Sequence, residues 1–194
     1  MTVDPGALAH RTAQLIDRLA RVTRELQFCG GLNPAQWEAL RFVARANRYS
    51  STPGALSEFL GTTKGTVSQT LIALEAKGYV LRIRGTEDRR QVGLTLTDAG
   101  RTLLEQDPIS DIENAAAKMP PDQGEVLLRS LTRLLHDVQA RHGVKEFGVC
   151  AECTLFCVNE PEVKAAGGGV CGMTGDNLSE EESGKICINQ QRAG

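Results

Sequence analysis

The chain has 194 residues, of which 41% are apolar and 24% charged, with a net charge of −2. That length suits one well-buried domain plus an appendage. No apolar run approaches the ~18 residues of a membrane span, and the opening Met1-Thr2-Val3-Asp4-Pro5 lacks the basic and apolar regions of a signal peptide, so a soluble, cytoplasmic protein is expected.

Leu8, Leu15, Leu19, Val22 and Leu26 fall on one face of a helix over residues 6–28, which Gly30-Gly31 stops. Asn33-Pro34 combines a cap with a proline at the first helical position, and the helix it starts is expected to reach about Arg48 and to bury Trp37, Leu40 and Val43 or Ala44. Thr52-Pro53 repeats the signal for a short helix through Phe59-Leu60, after which Gly61 permits a tight turn. A fourth helix is predicted from Lys64 to Lys77, with Val67, Leu71 and Leu74 inward and Gly78 as its stop. Two strand-like runs follow, Val80–Arg84 and Gln91–Leu96, joined by a polar and charged loop. Thr97 caps another helix, which Asp107-Pro108 kinks or breaks before it resumes toward Lys118. Pro120-Pro121 precedes a last helix, about 122–142, carrying Leu127, Leu128, Leu131, Leu134, Leu135 and Val138. After Gly143 the periodicity stops. The expected fold is mainly α with a small β-wing. A winged helix-turn-helix and a helical dimerisation region fill residues 1–142, and a cysteine-rich metal- or cluster-binding extension fills 143–194.

A helix presented after a short helix and a sharp turn can lie in the major groove of DNA. Its outward face carries Thr62, Thr63, Thr66, Gln69 and Thr70, with Lys64 and Ser68 near the edges. Positive charge sits in the wing instead, at Arg82, Arg84, Arg89 and Arg90 against Glu87 and Asp88. Guanidinium groups suit a wing tip because they fit narrow minor grooves and grip phosphates in a fixed fork. Overall charge follows the same division. Residues 143–194 hold four Lys/Arg against eight Asp/Glu, which leaves 18 basic and 16 acidic groups in residues 1–142.

The run Leu56-Ser57-Glu58-Phe59-Leu60-Gly61-Thr62-Thr63, then Thr66-Val67-Ser68, Leu74-Glu75-Ala76-Lys77-Gly78-Tyr79-Val80, Asp88-Arg89-Arg90 and Leu94-Thr95-Leu96-Thr97-Asp98-Ala99-Gly100, resembles the MarR family of bacterial transcriptional regulators. The resemblance covers about residues 6–142. It implies a two-fold dimer built from the first and last helices and bound to near-palindromic operator DNA. It also implies that Arg90 enters the minor groove, that Asp88 orients it, and that a ligand or redox input weakens DNA binding. The leucine stripes of the first and last helices agree with a homodimer, since a small winged domain could not cover both. No membrane partner is expected.

The cysteines crowd the other end of the chain. Cys29 stands alone and is read as a buried apolar side chain, whereas Cys150, Cys153, Cys157, Cys171 and Cys187 share the last 45 residues. In a reducing compartment such clustering reads first as a metal or redox site. The Cys-x2-Cys pair is a chelating turn, and two further thiolates complete a four-sulfur site. The expected ligands are Cys150, Cys153, Cys171 and Cys187, because a pair plus two distant anchors would fold the whole tail round the centre. Cys157 is then spare or alternate. Gly167-Gly168-Gly169 and Gly172 let the backbone approach closely. An iron–sulfur cluster is expected, with structural zinc as the alternative.

No Ser-His-Asp set, carboxylate pair or phosphate loop stands out, so no enzyme is expected. The reading is a DNA-binding regulator, expected to be a repressor, whose cluster senses redox, oxygen or iron status. One alternative is a repressor answering a small organic effector, with zinc bracing the tail. Another is an electron-transfer or iron-handling protein using the winged helix to bind proteins.

Overall fold

The computed structural model describes residues 4–84, 92–157 and 168–191. Helix α1 (Pro5–Leu26) is capped by the Asp4 carboxylate, which accepts from the amides of Gly6 and Ala7. Helix α2 (Pro34–Arg45) starts with a capping box: Asn33 accepts from the Gln36 amide, and the Gln36 side chain accepts in return from the Asn33 amide. Helices α3 (Pro53–Phe59) and α4 (Lys64–Ala76) follow, capped by Thr52 and Thr63. Strands β1 (Val80–Arg84) and β2 (Val92–Leu96) pair antiparallel, from Val80 opposite Leu96 to Arg84 opposite Val92.

The expected break at Asp107-Pro108 separates α5 (Asp98–Leu104) from α6 (Ser110–Ala117). Asp107 has a second task there. Its carboxylate meets the Arg41 guanidinium at 2.8 Å and accepts from the Ile109 amide, so it pins the turn to α2. Helix α7 (Pro121–His142) ends at Gly143, whose left-handed conformation stops it.

Trp37, Leu40, Phe42, Leu56, Val67, Leu71, Leu74 and Val80 are fully buried and form the centre of the core. Helices α1 and α7 contribute no buried residue, and Leu8, Leu15 and Leu19 of α1 and Leu128, Leu131 and Leu135 of α7 are exposed. Cys29 is exposed, contrary to the sequence expectation. Its carbonyl accepts from the Trp37 indole at 3.3 Å, within the turn that leads into Gly30, and this fixes its backbone and leaves the thiol outside.

Helix α2 also stops three residues before the expected Arg48. Ala46 turns to extended backbone and bridges Ile186, 140 residues away. The Ile186 amide donates to the Arg45 carbonyl at 2.7 Å, and the Asn47 amide donates to the Ile186 carbonyl at 2.9 Å. The helix end is thus closed by the extension.

That extension begins with a 3-10 turn (Cys150–Glu152) and continues through β3 (Phe156–Cys157), β4 (Gly169–Cys171), β5 (Asn177–Leu178) and α8 (Glu180–Ser183). The three strands form a small antiparallel sheet in the order β3-β4-β5. A Cβ at Gly169 would overlap the Phe156 ring, and one at Gly172 would lie 2.7 Å from the Leu155 carbonyl oxygen. These glycines therefore serve the close packing of the sheet. Ile186 lies in the main core, and Phe147 and Ile188 pack against it. Phe147 also meets the Phe59 ring edge-on at 5.1 Å, and Lys145 pairs with Glu58 at 2.8 Å.

Because Ile186 belongs to that core, Ile186→Ala is expected to destabilise the winged domain itself, by about 2–5 kcal/mol. Urea unfolding followed by Trp37 fluorescence checks this. The midpoint should fall in one transition, and an unchanged Trp37 transition would contradict the shared core.

Candidate nucleic-acid interface and cysteine site

Helix α4 owes its presentation to the turn before it. Gly61 takes a left-handed conformation, φ +58°, and the Ser57 hydroxyl donates to the Thr62 carbonyl at 2.7 Å, which fixes α3 against the start of α4. Val67, Leu71 and Leu74 face the core. Lys64, Thr66 and Gln69 face out, while Thr62, Ser68 and Thr70 are half-buried. Several hydroxyls are already engaged. Thr63 accepts from the Thr66 amide as the cap and lies 2.9 Å from the Thr66 hydroxyl, and Thr70 donates back to the Thr66 carbonyl. Lys64 and Gln69 are the outward polar groups with the longest reach on this face.

Arg82 is exposed and already has partners. Its guanidinium pairs with Glu75 at 3.4 Å and lies 3.5 Å from the Ser68 carbonyl, so it braces the wing stem on α4. Arg84 ends β1, and its side chain lies outside the described structure, as do Asp88, Arg89 and Arg90.

Cys150, Cys153, Cys171 and Cys187 line one pocket. Cys157 is exposed and is not part of that lining. Each of the four cysteines is held through its backbone. Cys150 and Cys153 bound a turn closed by the Cys153 amide on the Cys150 carbonyl at 3.0 Å. Cys187 bridges Gly148 through its backbone. Cys171 opens a turn in which the Gly175 amide, at φ +76°, donates to its carbonyl at 2.7 Å.

The thiols differ in acidity. Burial, reinforced by the neighbouring thiols of Cys187, Cys153 and Cys171, pushes Cys150 up to about 11. Cys171 is less buried, and although that burial raises it, hydrogen bonds to its sulfur from the Thr174 backbone and hydroxyl and from the Met173 backbone lower it overall. The Gln191 amide donates to the Cys153 sulfur at 3.5 Å. Among the described residues no three His, Cys, Asp or Glu side chains are gathered tightly enough to hold a single metal ion.

Sequence reasoning missed Tyr49. It stands in the connection between α2 and α3, lines the cysteine pocket, and hydrogen-bonds through its hydroxyl to Thr174 at 3.1 Å and to Asp176. No periodicity or motif marks it. Only the docking of the extension brings it to the site.

A short helix, a turn, an outward polar helix and an antiparallel hairpin together define a winged helix-turn-helix. The MarR family profile matches residues 30–91. In this part the chain is similar to the MarR family. Over 83 residues, 42% of the chain, it is 32% identical to the HTH-type transcriptional repressor YetL of Bacillus subtilis (strain 168), spanning 50% of that protein. Over the same length it is 36% identical to the HTH-type transcriptional regulator TtmR of Methylorubrum extorquens (strain PA1), spanning 43% of it. The chain thus spans about half the length of the curated relatives it matches. In fold it resembles Streptococcus pneumoniae FabT, solved in complex with DNA, with a TM-score of 0.55 and 24% identity over 71% of this chain and 99% of that one. A MarR transcriptional regulator from Methanosarcina mazei Go1 gives a TM-score of 0.55 and 22% identity, over 68% and 98%. No helix among the described residues is long and apolar enough to cross a membrane.

The thiol environments set an order of reactivity in the metal-free, reduced protein. Cys29 and Cys157 are expected to alkylate first. Cys171 should alkylate at lower pH than Cys150, whose rate should keep rising until pH nears 11. Iodoacetamide labelling followed by peptide mass spectrometry checks the order. Cys150 reacting as fast as Cys157 near neutral pH would contradict it.

Proposed function

We propose that the chain is a DNA-binding transcriptional regulator, a cytoplasmic homodimer acting as a repressor on operator DNA, whose cysteine site holds an iron–sulfur cluster that reports redox, oxygen or iron status. The observation that carries the DNA reading is helix α4. Val67, Leu71 and Leu74 anchor it, and Lys64, Thr66 and Gln69 stand on the face away from the core. Amide and hydroxyl groups there can read base edges in the major groove, while lysine contributes phosphate attraction. Arg84, Arg89 and Arg90 are proposed to supply the wing contact, with Asp88 orienting Arg90. Arg82 would hold the wing stem at a fixed angle to α4 through Glu75.

The dimer is supported by α1 and α7. Each is a 22-residue helix with no buried residue, and Leu15, Leu19, Leu128, Leu131 and Leu135 lie exposed on them. Apolar stripes of that length call for a partner surface, and a second copy supplies the matching pair.

The cluster reading is supported by the chemistry of the pocket lining, not by a preformed tight ligand set among the described residues. Four thiols line one pocket, amides reach two of the sulfurs, and Leu155, Phe156 and Met173 give the pocket apolar walls. Cys150, Cys153, Cys171 and Cys187 would be the ligands, and the bound cluster would supply one-electron chemistry. The chain's own share is to orient the sulfurs, donate hydrogen bonds to them and limit water access.

The test uses anoxically purified full-length protein and an operator selected from random duplexes. Iron, acid-labile sulfide and visible absorbance are expected, together with a change of operator affinity on oxidation. Arg90→Ala should weaken binding by about 1–3 kcal/mol. A colourless protein with stoichiometric zinc would overturn the sensing part, and absence of affinity for any duplex would overturn the regulator itself.

A further inference from the structure

We propose that the connection between α2 and α3, residues 47–51, is the coupling element through which the cysteine site controls the wing. The inference rests on the reading that this site holds a redox centre, and it assigns the route by which that centre reaches DNA.

The extension grips one side of the connection. The Asn47 amide donates to the Ile186 carbonyl at 2.9 Å, and the Ile188 amide donates to the Ser50 hydroxyl at 2.7 Å. The Arg48 amide donates to the Glu182 carboxylate at 2.7 Å, and its guanidinium donates to the Asn177 carbonyl at 3.0 Å. Tyr49 forms part of the cysteine pocket wall.

The wing grips the other side. The Leu94 amide, in the middle of β2, donates to the Ser51 carbonyl at 2.7 Å, and the Ser51 hydroxyl donates to the Leu94 carbonyl at 2.6 Å. The next residue, Thr52, caps α3 by accepting from the Ala55 amide at 3.1 Å. The same five residues thus hold the wing strand and lead straight into the cap of the helix that positions α4.

Cys187 lies between the two gripping residues, Ile186 and Ile188. Any change in how its sulfur is held is therefore delivered one residue away, to bonds made directly on the connection. Helix α7 offers a poorer route. The chain leaves it through Gly143 in a left-handed turn, and the segment after that turn reaches back to it through Glu146 on His136 at 3.3 Å.

The connection also has an unsettled interior. Asn47 and Ser50 are fully buried, and Asn47 accepts from the Ser50 amide at 3.0 Å. The Asn47 side-chain nitrogen has no hydrogen-bond partner among the described residues. A buried donor left unpaired destabilises the arrangement that buries it, so a second arrangement that satisfies it lies closer in energy. A coupling element needs two such arrangements.

The experiment compares amide hydrogen exchange in the full-length protein with its centre intact and after removal by ferricyanide and a chelator. Faster exchange is expected at Ile186, Ile188 and Leu94, with residues 5–26 and 121–142 unchanged. Acceleration that stops at Ile188, or that appears in α1 and α7 instead of Leu94, would overturn the proposal. The double variant S50A/S51A keeps every cysteine and every proposed DNA contact. It should retain the visible spectrum and the operator affinity of the centre-free protein, while the affinity change on removing the centre falls from about tenfold in the unmodified protein to below about twofold. A variant that keeps the full change would overturn the coupling role of the two hydroxyls. Absence of iron and sulfide overturns the sensing reading and this inference together, whereas their presence with Leu94 unmoved overturns this inference alone.

Discussion

The pairing of Ile186 with the end of α2 organises the molecule. Two main-chain hydrogen bonds, one to the Arg45 carbonyl and one from the Asn47 amide, replace the helical bonds that α2 would otherwise have continued. They turn Ala46 into extended backbone and seat the Ile186 side chain in the core beneath the winged helix. With that contact in place, Cys187 is held beside the connection to α3, Tyr49 enters the wall of the cysteine pocket, and Arg48 reaches the acidic start of α8. Without it the extension would be an acidic, glycine-rich segment with too little apolar surface to order itself.

Charge is distributed to suit this arrangement. Much of the acidity of the extension lies in α8 and is consumed locally. Glu182 takes the Arg48 amide, and Glu181 and Glu182 pair with Lys185. Such exposed pairs add little stability. They do keep carboxylates engaged on the extension, so that its negative charge is partly neutralised near the winged domain. The exposed face of α4 carries Lys64 and no acidic residue near it in the helix before Glu75.

Legibility followed the range over which each signal acts. Asn33-Pro34, Thr52-Pro53 and Asp107-Pro108 mark boundaries by local backbone chemistry, and the structure has helix boundaries at all three. The end of α2 was not legible, because Ala46-Asn47-Arg48 contains no stop signal and its partner lies far along the chain. The spacing of a close pair and two distant anchors pointed to the four cysteines that line one pocket, without excluding Cys157. Spacing carried no information about Tyr49, which the fold recruits from the winged domain. Nor did it carry the ion pair of Arg82, one of four wing arginines, with Glu75. Only the antiparallel register sets it beside Glu75 of α4.

The central claim is that DNA and the cysteine site act on one equilibrium, and coupling of that kind must be reciprocal. The most direct measurement is therefore the reduction potential of the centre with and without operator DNA, at fixed ionic strength. The account predicts a shift of about 59 mV for each tenfold change in affinity for a one-electron couple, and no shift with a non-cognate duplex of equal length. An identical potential with operator, with non-cognate DNA and with no DNA would contradict it.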